Sequence, residues 1–508
     1  MSDMTATSAS VGTLPDQFIE QARRRPTAPA LLWHDERISY GDLQEMVYGA
    51  HLYLEQLALP EEPVGILAKK SPQAISLILA CMMDRRSILL PSVDLGSDTL
   101  QRLFQQAGCR QVFSLSTTSP RNLRCEVVDA APAEDRSRPH PPGATEAELM
   151  LTTSGSTGMP KIVPLLLPEI DHFTDWAGAR FNINDGTTVL SYAPLNFDLC
   201  LLDIWTTLKR GGCVALVDQD RATRARYLVD LLTTHKVHVV QAVPMLYRLL
   251  IDAAQDGNHH FESVLHVIVT GDSIPFCTLE ALPGLFPRAR FYNVYGSTET
   301  NDSFIHEIDI SCDSARRRIP IGQPIEGVSA LVVSSGGYVV EGPGMGELWV
   351  ATPFQTRGYL TEVLNDSRFV SYRSEVGKRT YFRTGDIVQR HSDGAITLEG
   401  RTDSYVKVCG VRISTQAVEQ VILEHDDVLE VAVVAVPDDI AGKRLHAVVR
   451  RNRAGQLNSL SLRRHCARSL DRAAIPSRIH IVTTPLPKTP TGKVDRQRSL
   501  FNQDEEIK

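Results

Sequence analysis

Leu149-Met150-Leu151-Thr152-Thr153-Ser154-Gly155-Ser156-Thr157-Gly158-Met159-Pro160-Lys161 is an apolar run that passes into a segment dense in hydrogen-bond donors. Five hydroxyl side chains, two glycines and a lysine fall between Thr152 and Lys161. The apolar start predicts a buried strand. The donor-rich remainder predicts a loop that cradles phosphate oxygens, because glycines admit backbone N–H groups, Ser and Thr add O–H donors, and lysine adds charge. Its spacing is not that of the P-loop, since Gly155, Gly158 and Lys161 stand three apart where that motif needs four residues between its glycines and a lysine directly after the second. By itself the segment reads equally well as a Ser/Gly-rich surface turn.

On the N-terminal side of this loop, short apolar runs such as Val64-Gly65-Ile66-Leu67-Ala68 alternate with helical patterns, the first over Leu14 to Arg25. The same rhythm returns beyond it, with Val189 to Tyr192, Cys213 to Val217 and Val237 to Val240 as strands between helices. The fold class is therefore α/β, with wound, mainly parallel sheets in two similar halves. The proline-rich polar segment Ala133 to Ala147 reads as a linker or surface loop. From Val328 to Leu398 closely spaced strands with Gly turns predict a small antiparallel β unit. After Gly400, strands at Val428 to Val436 and Ile479 to Val482 around helices at Thr415 to Glu424 and Leu460 to Leu470 predict a separate α+β domain.

The chain has 508 residues, 43% of them apolar and 22% charged, which suits a soluble globular protein of several domains. Its formal charge of −7 gives no global electrostatic case for nucleic acid. The apolar stretch Ala74 to Met83 ends at Asp84-Arg85-Arg86, short of the ~20 residues that a membrane span needs. No signal-peptide pattern opens the sequence, so the expected compartment is the cytoplasm. Nine cysteines without a C-x-x-C pair argue against a disulfide framework or a zinc site.

Further blocks stand in order behind the loop: Asn293-Val294-Tyr295-Gly296-Ser297-Thr298-Glu299, Tyr381-Phe382-Arg383-Thr384-Gly385-Asp386, Gly400-Arg401-x-Asp403 and Pro490-Thr491-Gly492-Lys493. With Thr153-Ser154-Gly155-Ser156-Thr157-Gly158-x-Pro160-Lys161 they resemble the adenylate-forming superfamily of acyl-CoA synthetases, luciferases and adenylation domains of nonribosomal peptide synthetases. Ile38-Ser39-Tyr40-Gly41-Asp42-Leu43, Gly346-Glu347-Leu348 and Arg357-Gly358-Tyr359-Leu360 extend the likeness over nearly the whole chain. The resemblance implies a large N-terminal domain, residues 1–402, with two wound α/β subdomains and a small β unit. A small mobile α+β C-terminal domain, residues 403–508, would carry the catalytic lysine.

The resemblance also implies the chemistry. A carboxylate attacks the α-phosphate of ATP to give an acyl adenylate and pyrophosphate, and because two anions meet, cations and aimed donors are required. Lys493 would bridge the carboxylate and the α-phosphate, Thr298 would contact that phosphate, and Glu299 would help hold Mg²⁺. In the same block Tyr295 would stack on adenine beside Gly296, and Asn293 would bond the adenine amino group. Asp386 would accept the ribose hydroxyls, Arg401 would touch ribose or phosphate, and Asp403 would be the hinge about which the C-terminal domain turns after adenylation.

The substrate class rests on Ala193-Pro194-Leu195-Asn196-Phe197-Asp198-Leu199, which resembles the block that binds an amino acid in peptide-synthetase domains. Asp198 would hold the amino group, although an Asp here also suits a helix N-cap. Leu199, Leu202, Gln241, Thr270, Val294, Asp302 and Ser303 would line the pocket. The leucines suit an aliphatic side chain while Gln241 and Asp302 suit a polar or cationic one, and α- and β-amino acids both stay open. Twelve residues lie beyond Arg496, too few for a carrier domain. The expectation is a free-standing ligase that charges the phosphopantetheine thiol of a separate carrier protein in a secondary-metabolite or cell-envelope pathway. A carboxylate–CoA ligase and a catalytically weak nucleotide- or carrier-binding regulatory homologue are the alternatives.

Overall fold

A computed structural model describes residues 12–57, 62–115, 125–129, 149–153, 159–254, 259–313, 318–361, 365–374, 377–402, 405–408, 411–438, 442–452, 457–470, 472–489, 493–496 and 498–500. The chain forms two compact units. One comprises Met1–Ala222, Asp230–Val240 and Pro353–Asn365; the other comprises Thr223–Val229, Gln241–Thr352 and Asp366–Lys508.

In the first unit a six-stranded sheet runs in the order Cys125–Asp129, Gln111–Leu115, Val64–Leu67, Ile88–Leu89, Leu149–Thr153, Lys161–Leu165. Its four inner strands are parallel and the two edges antiparallel. Helices Pro72–Met83 and Ser97–Ala107 make the crossovers that parallel pairing requires. Pro72–Met83 is buried at every position but the last, which explains its apolar run as a core helix rather than a membrane segment. Among the described residues no helix is long and apolar enough to cross a membrane. A second sheet in this unit joins Pro29–Trp33 and Cys213–Leu216 with Thr188–Ser191, all parallel, and adds the antiparallel strand Glu36–Ser39. The segment Ala133 to Ala147 lies outside the described residues.

The second unit holds the parallel pair His266–Thr270 and Arg290–Ser297, then Asn301–Glu307 antiparallel to Arg290–Ser297, and Gln323–Pro324 antiparallel to Asn301–Glu307. The small β unit expected between Val328 and Leu398 is present as five antiparallel strands centred on Gly344–Ala351 and Gly377–Arg390. After Gly400 a hairpin, Tyr405–Val408 with Val411–Ser414, precedes the sheet Val428–Asp438, Gly442–Arg451, Arg478–Val482. Helices Thr415–Leu423 and Ser459–Cys466 belong to the same region, and its core is built from Val418, Ile422, Val433, Val449 and Leu462. Ser414 caps the first of these helices by accepting the Ala417 N–H at 3.2 Å. Cys109, Cys200, Cys213 and Cys466 are buried thiols that pack as small core groups.

Candidate active site

In the second unit the block Asn293 to Glu299 is a strand end followed by a tight hairpin. Arg290–Ser297 returns as Asn301–Glu307, so Thr298, Glu299 and Thr300 form the turn, closed by Thr300 N–H donating to Ser297 O at 2.9 Å. Asn301 takes a φ of 49°, a left-handed conformation that asparagine tolerates. At Gly296 the strands approach so closely that a Cβ would lie 2.2 Å from Asn301 O, and the register shifts there. The glycine in this motif is thus required by the backbone, which puts Thr298 half-buried and Glu299 buried at the tip of a rigid two-stranded element.

The neighbouring side chains converge on a carboxylate. The Tyr295 hydroxyl donates to Asp386 Oδ2 at 2.5 Å, and Arg401 Nη1 donates to Asp386 Oδ1 at 2.7 Å. Burial raises the Tyr295 hydroxyl well above the usual phenol range, and the Asp386 carboxylate adds to that. A carboxylate is an acceptor-only group with two oxygens, the type of group that ribose hydroxyls donate to. Asn293 Nδ2 donates to Pro320 O at 2.8 Å, which orients the amide and leaves its oxygen as the acceptor that an adenine amino group needs. Arg401, expected at ribose or phosphate, stands against Asp386 and also donates to Thr384 O at 3.2 Å.

Glu347 and Arg383 stand inside matching blocks, yet no motif assigns them a role. Glu347 is nearly buried and accepts from Arg383 Nε and Nη2, from the Trp349 indole N–H at 3.1 Å and from the Gly385 N–H at 3.3 Å. Thr384 Oγ1 donates to Leu348 O and accepts the Asp386 N–H. With Gly385 at a φ of 76°, these bonds fix the turn from which Asp386 projects.

The polar half of the expected pocket also lies in this unit. Thr270 pairs in register with Val294, and Gly296 with Asp302. Gln241, only 1% exposed, approaches Asp302 Oδ2 at 3.5 Å, and its own Oε1 is buried without a partner among the described residues. Ser303 is buried and its hydroxyl bonds back to Thr300 and Asn301. Thr489 N–H donates to Lys493 O at 2.8 Å, and the Lys493 side chain is exposed.

In the first unit Thr153 ends its strand half-buried, and Lys161 opens the next, its Nζ 4.8 Å from the Tyr359 ring centroid. Ser154, Gly155, Ser156, Thr157 and Gly158 lie outside the described residues, as does Asp403. Asp198 and Leu199 are half-buried one turn ahead of a π-helix, Leu201–Thr206, on which Leu202 is fully buried. Such i→i+5 turns are rare and concentrate at functional sites.

Beneath this segment lies a polar cluster that no sequence motif announced. Lys70, 1% exposed, donates to Ser191 O, to Ser191 Oγ at 3.0 Å and to Ala193 O at 2.7 Å, pinning the chain just before Pro194 to Asp198. Asp203 is fully buried on the π-helix with Lys70, Ser191 and Cys200 as polar neighbours. Burial pushes its carboxyl up to about 7 from an ordinary 3.8, and the Lys70 cation works against that rise. Between these values the folded state holds a proton that the unfolded state has lost, so this group makes stability fall as pH rises toward 7 and level off above it. Asp203→Asn should remove that component, worth at most about 4 kcal/mol between pH 4 and 8. Urea unfolding of parent and variant across this range measures it, and a pH-independent difference between them would refute it.

The profile of the family described as AMP-binding enzyme matches residues 18–360, and that of the AMP-binding enzyme C-terminal domain matches residues 417–493. Surfactin synthase subunit 1 of Bacillus subtilis is 27% identical over 96% of this chain, which spans 14% of that protein's length. An L-proline--[L-prolyl-carrier protein] ligase of Pseudomonas fluorescens is 31% identical over 68% of this chain and 67% of its own length. Among solved structures, Klebsiella oxytoca NpsA in complex with 3-hydroxyanthranilyl-AMSN matches with a TM-score of 0.79. That match covers 98% of this chain and 99% of the other at 22% identity, a likeness of fold.

Proposed function

The chain belongs to the AMP-binding enzyme family, and we propose that it activates an amino acid with ATP and passes the aminoacyl group to the phosphopantetheine thiol of a carrier protein. First a carboxylate oxygen attacks the α-phosphorus, the bond from that phosphorus to the β-phosphate oxygen breaks, and pyrophosphate leaves. Then the thiol sulfur, losing its proton, attacks the acyl carbon, and AMP leaves with the electron pair of the mixed anhydride.

The chain's own groups suit this division of labour. Asn293 Oδ1 accepts from the adenine amino group, the Tyr295 ring packs on the base, and Asp386, held by Tyr295, Arg401 and the Glu347 turn, accepts the ribose hydroxyls. Thr298 and the segment Thr153 to Lys161 donate to phosphate oxygens, and Lys493 brings a cation to the α-phosphate. Glu299 fits a Mg²⁺ ligand. No group of three or more His, Cys, Asp or Glu among the described residues is arranged around an ion, and Mg²⁺ bound through phosphates and water needs only one or two protein carboxylates. When bound, the ion neutralises phosphate charge. Asp403 serves as the hinge, residues 403–508 as the turning domain, and the cytoplasm is the compartment.

Asp198 carries the amino-acid reading: it stands in the block that resembles the amino-acid-binding block of peptide synthetases, and its half-buried carboxylate offers acceptor oxygens to an ammonium group. The 31% identity with a proline–carrier protein ligase supports it. The test is exchange of labelled pyrophosphate into ATP with α- and β-amino acids, aryl acids and fatty acids, then mass analysis of thioesters on a phosphopantetheinylated carrier protein and on coenzyme A. Exchange with an amino acid and a loaded carrier is the expected result. A fatty or aryl acid with coenzyme A would overturn it in favour of a CoA ligase, and silence across the panel would point to the regulatory homologue.

A further inference from the structure

Lys493 lies between two stems that are each fastened to an acid, one buried and one half-buried. On the C-terminal side, Arg496 Nε and Nη2 donate to the two carboxylate oxygens of Glu419, both at 2.7 Å. Glu419 stands on the helix Thr415–Leu423, is 7% exposed, and also accepts the Val433 N–H at 2.8 Å. On the N-terminal side, Lys488 Nζ reaches Glu430 at 2.7 Å, and Glu430 accepts the Leu486 N–H at 2.9 Å. The stems themselves meet, since Lys488 bridges to Val494 and Asp495 N–H donates to Pro487 O at 2.8 Å.

A lysine ammonium ends a flexible four-carbon stem, so its reach is defined only if the backbone that carries it is fixed. A bidentate guanidinium–carboxylate pair sets orientation as well as distance. Arg496 stands three residues after Lys493, so its fork fixes the direction in which the chain leaves the lysine. We propose that Glu419, acting through Arg496, is a positioning residue for Lys493, with Glu430 and Lys488 as a second anchor through the paired segment before it.

This rests on Lys493 serving adenylation, and the test separates the two ideas. Glu419→Gln keeps the side-chain shape and an acceptor for Val433 N–H but removes the charge that holds Arg496. In the full-length protein it should lower pyrophosphate exchange at least 30-fold at saturating ATP and amino acid, leaving both KM values within threefold. The amino acid used is the one giving the strongest exchange in the panel. Aminoacyl transfer from the synthetic adenylate of that amino acid to pantetheine should stay within threefold of the parent, because that step does not need the lysine.

Equal loss in both half-reactions would reduce the pair to a fold-holding contact and overturn the proposal, as would unchanged exchange. If Glu419→Gln fails to fold, Arg496→Lys decides by the same split, since it keeps the charge and loses the fork. Lys493→Ala is the control. Intact exchange in that variant would sink the reading of the lysine itself, whereas exchange lost there but kept in Glu419→Gln would sink only the positioning role.

Discussion

Lys493→Ala is expected to slow pyrophosphate exchange about 1,000-fold, equivalent to about 4 kcal/mol, while transfer from preformed aminoacyl adenylate changes by no more than a few-fold. The magnitude comes from the charges that must meet. Two unit charges 4 Å apart at an effective dielectric of about 20 interact by about 4 kcal/mol, and a carboxylate approaching an α-phosphate meets that repulsion unless a cation stands between them. In the proposed mechanism the exposed side chain of Lys493 supplies that cation. Lys493→Arg should not restore the rate, because a planar fork presents its charge at another distance and angle than a compact ammonium. Rapid-quench measurement of each half-reaction reads the split directly. A variant that loses both steps equally would mean that the lysine does not act on adenylation alone, and a variant that keeps exchange would remove the electrostatic argument for this residue.

Local pattern carried the fold, and the residues proposed to face the nucleotide, into the sequence. Val64–Leu67 shows as a strand because a parallel strand buried on both faces needs an unbroken apolar run, and the β unit shows through its Gly turns. Asn293, Tyr295, Thr298 and Glu299 are legible because one hairpin carries them all within seven residues. The supports are not legible, because each is a pair brought together from distant parts of the chain. Lys69 and Lys70 look alike in sequence, yet Lys69 forms an exposed ion pair with Asp220 while Lys70 is buried against Ser191 and Ala193. Which of two adjacent lysines turns inward depends on how the strand Val64–Leu67 leads into the helix Pro72–Met83, and no periodicity reports that. Glu419 reads as one more polar residue on an amphipathic helix until Arg496 is seen to meet it.

Asp198→Ala should raise the KM for the amino acid about 100-fold, about 3 kcal/mol, and leave the KM for ATP unchanged. An ammonium entering a half-buried pocket gives up water on every side, and a carboxylate that accepts from it would return a charge-assisted hydrogen bond. Removing that carboxylate leaves the cation desolvated without compensation, so the loss exceeds that of an exposed ion pair, which is worth at most about 1 kcal/mol. Asp198→Asn should fall between, because it keeps an acceptor and loses the charge. The framework argues that the effect stays confined to this ligand: Lys70 holds Ser191 and Ala193 independently of Asp198, so the segment keeps its path when the side chain is cut back. Steady-state exchange with each substrate varied in turn separates the two KM values. An amino-acid KM equal to the parent's would show that the amino group is held elsewhere, and the half-buried Asp198 would then be a cap for the π-helical turn after it.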